Sequence, residues 1–316
     1  MTPPILAGYC PQAADRGPVS FAAAAARFTG APLIVTAIHS GGAVLDHLAG
    51  GELAERPATE AQEMLERLGA ELGDGGLDLH VRLREAITPA AGLTAAIEET
   101  KPALVVLGST HRGPVGRVLL GSTAERVIHG AACPVAVVPH GYEARSGGVA
   151  TIGAAFSPTP EGREALRVAA LLAGAAGARV RAVMVLDPRL AEHQSPGLLA
   201  LHHHERGPED EAGRLRLEAE RTLEKAIAAL PSPADIEPDV LFQVPADGLA
   251  AASEHLDLLV MGSRAYGPAR AVMLGGVSRR VITRAACPVL VLPRGTRTAI
   301  DSLLPSAGAG REPAGR

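Results

Sequence analysis

One stretch of this chain is written twice. Leu104 to Gly141 reads LVVLGSTHRGPVGRVLLGSTAERVIHGAACPVAVVPHG, and Leu258 to Gly295 reads LLVMGSRAYGPARAVMLGGVSRRVITRAACPVLVLPRG. The two align without a gap, since 262−108, 275−121, 287−133 and 293−139 all equal 154. They share 20 identities in 38 positions, so the chain holds two copies of one folding unit. Each copy runs from an apolar strand through a glycine-punctuated loop into a helix and a last apolar strand. A loop of that kind, ending at a helix start, can hold phosphates.

With 316 residues the chain has room for two ordinary domains, one per copy. Hydrophobic residues make up 47% but aromatic ones only 2%, so the cores must be built from Ala, Val, Leu and Ile. That composition favours parallel sheets covered by Ala-rich helices. A formal net charge of −4 gives no electrostatic reason to expect nucleic acid. The N-terminus lacks the basic start and apolar stretch of a signal peptide, and no apolar run is long enough to cross a bilayer. A cytoplasmic protein with no membrane association is the expectation. Cys10, Cys133 and Cys287 are too few and too dispersed for a disulfide framework. Cys133 and Cys287 stand at the same place in the two copies and read as buried, inert thiols at a strand entrance.

Periodicity and turn signals lay out the first half. Strands are predicted at Ile5–Tyr9, Pro32–Ile38, Leu77–Leu83, Leu104–Leu107 and Val135–Val138. Helices are predicted at Val19–Thr29, Thr59–Leu72, Pro89–Thr100 and Thr123–Gly130. The second half repeats the order. Its strands are Thr151–Phe156, Arg179–Leu186, Pro238–Val244, Asp257–Met261 and Val289–Leu292. Its helices are Pro160–Ala175, Glu209–Leu230, Asp247–Glu254 and Val277–Ala286. Such alternation implies right-handed βαβ units and an α/β fold: two tandem open five-stranded parallel sheets of Rossmann-like kind, with helices on both faces. The domains are expected at 1–145 and 149–295, joined by a short Gly-rich linker. Residues 296–316, rich in Gly, Pro, Ala and Arg, are expected to form a disordered tail.

In the first copy Gly108-Ser109 closes a strand and Gly121-Ser122-Thr123 opens a helix. The glycines permit positive φ and close approach of a ligand to the backbone. Ser122 and Thr123 are N-cap types, with hydroxyls and backbone N–H groups at the positive end of the helix dipole. The alternative is that the two glycines only shape a tight connection. Gly262, Gly275 and Ser278 are the counterparts in the second copy.

These residues resemble the universal stress protein family, whose ATP-binding pattern is Gly, two residues, Gly, nine residues, Gly, then Ser or Thr. Gly108, Gly121 and Ser122 match it, and GSTAERVIHGAACPVAVVP is similar to the family's helix and last strand. The resemblance implies two tandem UspA-type domains with an adenine nucleotide alpha hydrolase-like fold. It also implies ATP as a ligand, held through Gly108, Ser109, Gly121, Ser122 and Thr123, with Mg accompanying it. The pattern departs at His111 and Ala265, where the second glycine belongs, and at Gly276, where Ser or Thr belongs. Cys10 and Ser157 stand where the family carries an Asp that contacts the ribose. These departures make the first half the favoured nucleotide site and the second a weaker one. The family's last strands pair across a dimer interface. Val135–Val138 and Val289–Leu292 are therefore expected to pair antiparallel within one chain, as an intramolecular pseudo-dimer, with homodimerisation of whole chains as a further option.

Other signals are weaker. Arg112 and Arg117 read first as solvated loop charges. His202-His203-His204 with His193 cannot all face one metal on a regular element, and no dedicated metal site is expected. The helix predicted at Glu209–Leu230 reads as a solvated face with local ion pairing. No Ser–His–Asp set or complete Walker loop is present, so a non-enzymatic regulatory or protective role in the stress response is expected. A scaffold with degenerate loops and a slow ATP hydrolase are the alternatives.

Overall fold

A computed structural model describes residues 2–11, 13, 15–39, 52–73, 76–109, 120–145, 148–189, 208–231, 235–263, 274–293 and 300–303. The first half contains β1 (Ile5–Tyr9), α1 (Gly17–Thr29), β2 (Leu33–His39), α2 (Glu52–Gly73), β3 (Leu79–Glu85), α3 (Pro89–Thr100), β4 (Leu104–Gly108), α4 (Ser122–Gly130) and β5 (Val135–Val138). The second contains β6 (Thr151–Phe156), α5 (Pro160–Ala176), β7 (Arg179–Leu186), α6 (Pro208–Ala228), β8 (Ile236–Phe242), α7 (Pro245–Ala252), β9 (Leu258–Gly262), α8 (Gly276–Ile282) and β10 (Val289–Leu292).

Ten strands form one sheet in the order β3-β2-β1-β4-β5-β10-β9-β6-β7-β8. Within each half every pairing is parallel. The two halves join where β10 runs antiparallel to β5, with Val289 opposite Val137, Leu290 opposite Ala136 and Val291 opposite Val135. Ala136 thus faces its own counterpart in the repeat, since 290−136 is 154, and the seam is a pseudo-twofold axis. All eight residues of the two strands are buried. The antiparallel pairing expected from the sequence is present.

Two apolar layers cover the sheet. One face carries α1, α2, α5 and α6, the other α3, α4, α7 and α8. Helix α1 presents Ala22, Ala23, Ala25 and Ala26, all buried, which lets its axis lie close to the strands. Gly30 (φ 70°) and Gly177 (φ 67°) end α1 and α5 in the left-handed conformation that a side chain would strain. Thr88 and Thr159 cap α3 and α5 by accepting from the N–H groups of Ala91 and Gly162. Pro238 is tolerated inside a strand because β8 is an edge.

Two further contacts bind the halves. Glu125 and Arg279, 154 apart and so at the same repeat position, carry opposite charges and pair at 3.2 Å. Asp257, 5% exposed, accepts from the N–H groups of Ala150 and Thr151 at 2.9 Å each and pairs with Arg145 at 3.0 Å, which pins the linker to β9.

The disordered tail expected from residue 296 is corrected at its start. Ile300 and Leu303 are each 1% exposed and pack among Phe21, Leu104, Leu172 and Leu290 over the seam, while Asp301 pairs with Arg167 at 2.7 Å. Two apolar side chains three positions apart, over a groove shared by both halves, bury enough area to order that segment. Residues 304–316 lie outside the described residues.

Candidate functional site

At the carboxyl ends of β1, β2 and β4, beside the start of α4, lies a cleft of about 560 Å³. Such a position in an open parallel sheet is where ligands bind, and the volume is that of a small-molecule site. Gly108, Ser109, Gly121, Ser122 and Thr123 all line it, so the five residues singled out in the first copy converge. Helix α4 begins at Ser122 with no side-chain cap on its first N–H groups. Uncapped donors at the positive end of a helix are of the kind that can receive an anion. Ser109 is buried; its hydroxyl accepts from the His140 backbone N–H at 2.9 Å, and its own N–H donates to the Val138 carbonyl at 2.9 Å. The β4–β5 junction is therefore rigidly tied.

A carboxylate also stands in this cleft, at a residue the sequence reading passed over. Asp15 lines it with Cys10, and its side chain is only 8% exposed. One oxygen accepts from the Gly17 N–H at 3.0 Å, and the other pairs with His140 Nδ1 at 3.1 Å. Asp-Arg-Gly-Pro at the start of α1 is a helix-initiation signal that could have pointed to Asp15. Its meeting with His140, 125 positions away, is a tertiary fact.

The glycines themselves do less than expected. Gly121 is extended (φ −62°, ψ 149°), as is Gly275 (φ −68°, ψ 164°), and neither Gly108 nor Gly262 has positive φ. A Cβ on Gly108 would stand 2.9 Å from Pro18 Cγ, and one on Gly262 2.7 Å from Glu161 Cβ. At these two positions the first turns of α1 and α5 press on β4 and β9, so packing by itself favours glycine there.

The second half has a smaller counterpart of about 310 Å³, lined by Gly262, Ser278, Ser157, Thr159, Gly162 and Ser263 among others. Gly275 is not among its lining residues, and α8 begins at Gly276 with no hydroxyl there. Strand pairing aligns the halves: Ile5 pairs with Leu33 and Ile152 with Val180, each 147 positions on. At that offset Asp15 corresponds to Gly162 and Thr36 to Val183, and the carboxylate that lines this cleft is the neighbouring Glu161. The Ser157 hydroxyl is 3.0 Å from the Thr159 hydroxyl, and a Cβ on Gly162 would meet the Ser157 carbonyl oxygen at 2.3 Å. The loop thus leaves no space for a larger residue at Gly162. The buried Ser263 hydroxyl has no hydrogen-bond partner among the described residues.

Burial pushes Cys133 and Cys287 up to about 12, so both stay neutral thiols near pH 7, as their positions implied. His111, Arg112, Arg117, Ala265, His193 and His202–His204 lie outside the described residues. Among the described residues no group of three or more His, Cys, Asp or Glu is placed to hold a metal. No helix there is long and apolar enough to cross a membrane.

Comparison with known proteins agrees with this architecture. The profile described as "Universal stress protein family" matches residues 1–139 and again 149–293. A universal stress protein of Mycobacterium tuberculosis is 30% identical over 248 residues, covering 77% of this chain and 80% of that one. A universal stress protein of Methanocaldococcus jannaschii is 37% identical over 86 residues, 27% of this chain and 50% of its own. Among solved structures, a universal stress protein from Archaeoglobus fulgidus superposes with a TM-score of 0.65 at 18% identity, covering 93% of this chain and all of that one. With the family's profile matching both halves of a duplicated fold, the chain belongs to the universal stress protein family and carries its domain twice.

Proposed function

We propose that the first half binds an adenine nucleotide, with ATP as a conditional ligand, and that the protein serves a regulatory or protective role in the stress response. The observation that carries this reading is the convergence of Gly121, Ser122 and Thr123, the uncapped start of α4 and the Asp15 carboxylate on one 560 Å³ cleft. The N–H groups and hydroxyls at Ser122 and Thr123 would take the phosphates, with Mg arriving on them. Asp15 would accept from the ribose hydroxyls in place of the residue missing at Cys10, and Ile38, Leu93 and Leu107 give the base an apolar wall.

For the second half the structural reading of the glycine loop is favoured. Gly262 accommodates Glu161, the cleft is smaller, the first two residues of α8 carry no hydroxyl, and Gly162 stands where the first half has Asp15. Calorimetric titration of Mg-ATP into nucleotide-stripped protein tests both statements. One site per chain, lost in Gly121→Val, is expected. Absence of heat, together with no change in melting temperature at millimolar ATP, would overturn the nucleotide reading. Phosphate release that disappears in Gly121→Val would instead favour a slow hydrolase.

A further inference from the structure

A second cleft, of about 360 Å³, opens between α5 and α6, away from the nucleotide site. Its floor is apolar: Phe156 and Leu166 are buried, and Ala226 and Leu230 are half-buried against the core. Beside Arg167, two further cations line it from opposite helices, Arg163 in the first turn of α5 and Lys225 in the last turn of α6. Neither has a carboxylate partner among the described residues. Glu164, the acid in the lining, is bound by Arg167 at 2.7 and 2.9 Å, and Arg167 also holds Asp301.

The first half shows what the same geometry looks like when it is closed. Arg16 is the counterpart of Arg163 and Tyr9 that of Phe156, since both pairs differ by 147. Arg16 reaches across to Glu71 of α2 and forms an ion pair with it. Tyr9 lies in the field of both, its hydroxyl pushed up chiefly by burial, then lowered by Arg16 and raised by Glu71. In the second half the facing helix offers Lys225 instead of an acid. Two like charges over an apolar floor repel each other and are stabilised when an anion enters between them.

We propose that the α5–α6 cleft is a binding site for a small amphipathic monoanion, an organic carboxylate whose head pairs with Arg163 and Lys225 and whose apolar body lies on Phe156 and Leu166. The site is independent of the nucleotide reading, because it shares no residue with the first cleft.

Titration of octanoate into the full chain tests it, with octan-1-ol as the neutral analogue and inorganic phosphate as a head without a tail. Octanoate is expected to bind at about 0.1 mM or tighter, and octanol and phosphate each about tenfold or more weakly. Lys225→Glu installs the ion pair of the first half; it should abolish octanoate binding without lowering the melting temperature. Arg163→Ala should weaken binding about tenfold, and Gly121→Val should leave it unchanged. Octanoate that fails to bind, or binds as well to Lys225→Glu, overturns the proposal. So does octanol or phosphate that binds as tightly as octanoate.

Discussion

The two clefts at the carboxyl edge of the sheet sit in the same frame and differ in chemistry. Around the first, Asp15, Thr36, Ser122 and Thr123 bring a carboxylate and hydroxyls; around the second, the corresponding places hold Gly162, Val183, Gly276 and Val277, and the carboxylate and the hydroxyl of the first helical turn come from the shifted positions Glu161 and Ser278. The strands that carry them pair in the same register, and the helices pack on the same faces. Duplication therefore preserved the apolar frame, which tolerates only residues of matching volume. Several polar positions of the cleft linings differ between the halves within that shared frame. The outer clefts make the same point with charge: Arg16 finds Glu71, whereas Arg163 faces Lys225.

The largest effect should come where the halves do not differ. Val137 and Val291 are 1% and 0% exposed beside the shared seam. Val137→Asp and Val291→Asp should each cost about 3–5 kcal/mol and loosen both halves together, because each buries an unpaired charge. Denaturant unfolding and hydrodynamic radius check this; an unchanged radius and stability would deny the seam its role as the joint.

Next, Gly162→Asp writes the acid of the first half into the second. The clash with Ser157 should cost about 1–3 kcal/mol, and no second nucleotide site should appear. A stable variant that gained ATP binding would show that the second loop is adaptable and the difference between the halves shallow.

A smaller effect is predicted for Asp15→Asn. It keeps the shape but removes the charge proposed to meet the ribose, and should weaken ATP about tenfold, or about 1.4 kcal/mol. Calorimetry would read this directly, and an unaltered affinity would return Asp15 to a purely structural contact with Gly17 and His140.

The mildest change is Gly276→Ser. A Cβ at Gly276 meets nothing within 4 Å, so the hydroxyl missing from the start of α8 can be restored without strain. Stability should rise by about 0.5 kcal/mol, as expected when a glycine at a helix start is replaced. If the hydroxyl is the main lack of the second cleft, titration should then reveal a second, weak ATP site; one site as before would place the deficit in the shifted carboxylate instead.

Much of the architecture could be read from the residues. Alternation of apolar runs with amphipathic stretches gave the βαβ order, and the 154-residue offset gave the duplication, because strand burial and helix periodicity are local properties of the chain. Element ends were less legible. Helix α2 begins at Glu52, upstream of the predicted Thr59, and α8 stops at Ile282, short of Ala286. Helix termini depend on caps and neighbours as well as on periodicity.

The sequence alone determined that two α/β units exist, that Cys133 and Cys287 sit inside them, and that Gly108 to Thr123 bracket one loop. Only the tertiary structure decided that Asp15 shares a cleft with Ser109 and His140. It alone showed that Gly108 yields to Pro18, and that Ile300 and Leu303 close the groove over the seam. Local pattern reports which side of an element is buried. Which distant side chain it is buried against depends on how the layers stack, and that is settled only when the whole sheet has formed.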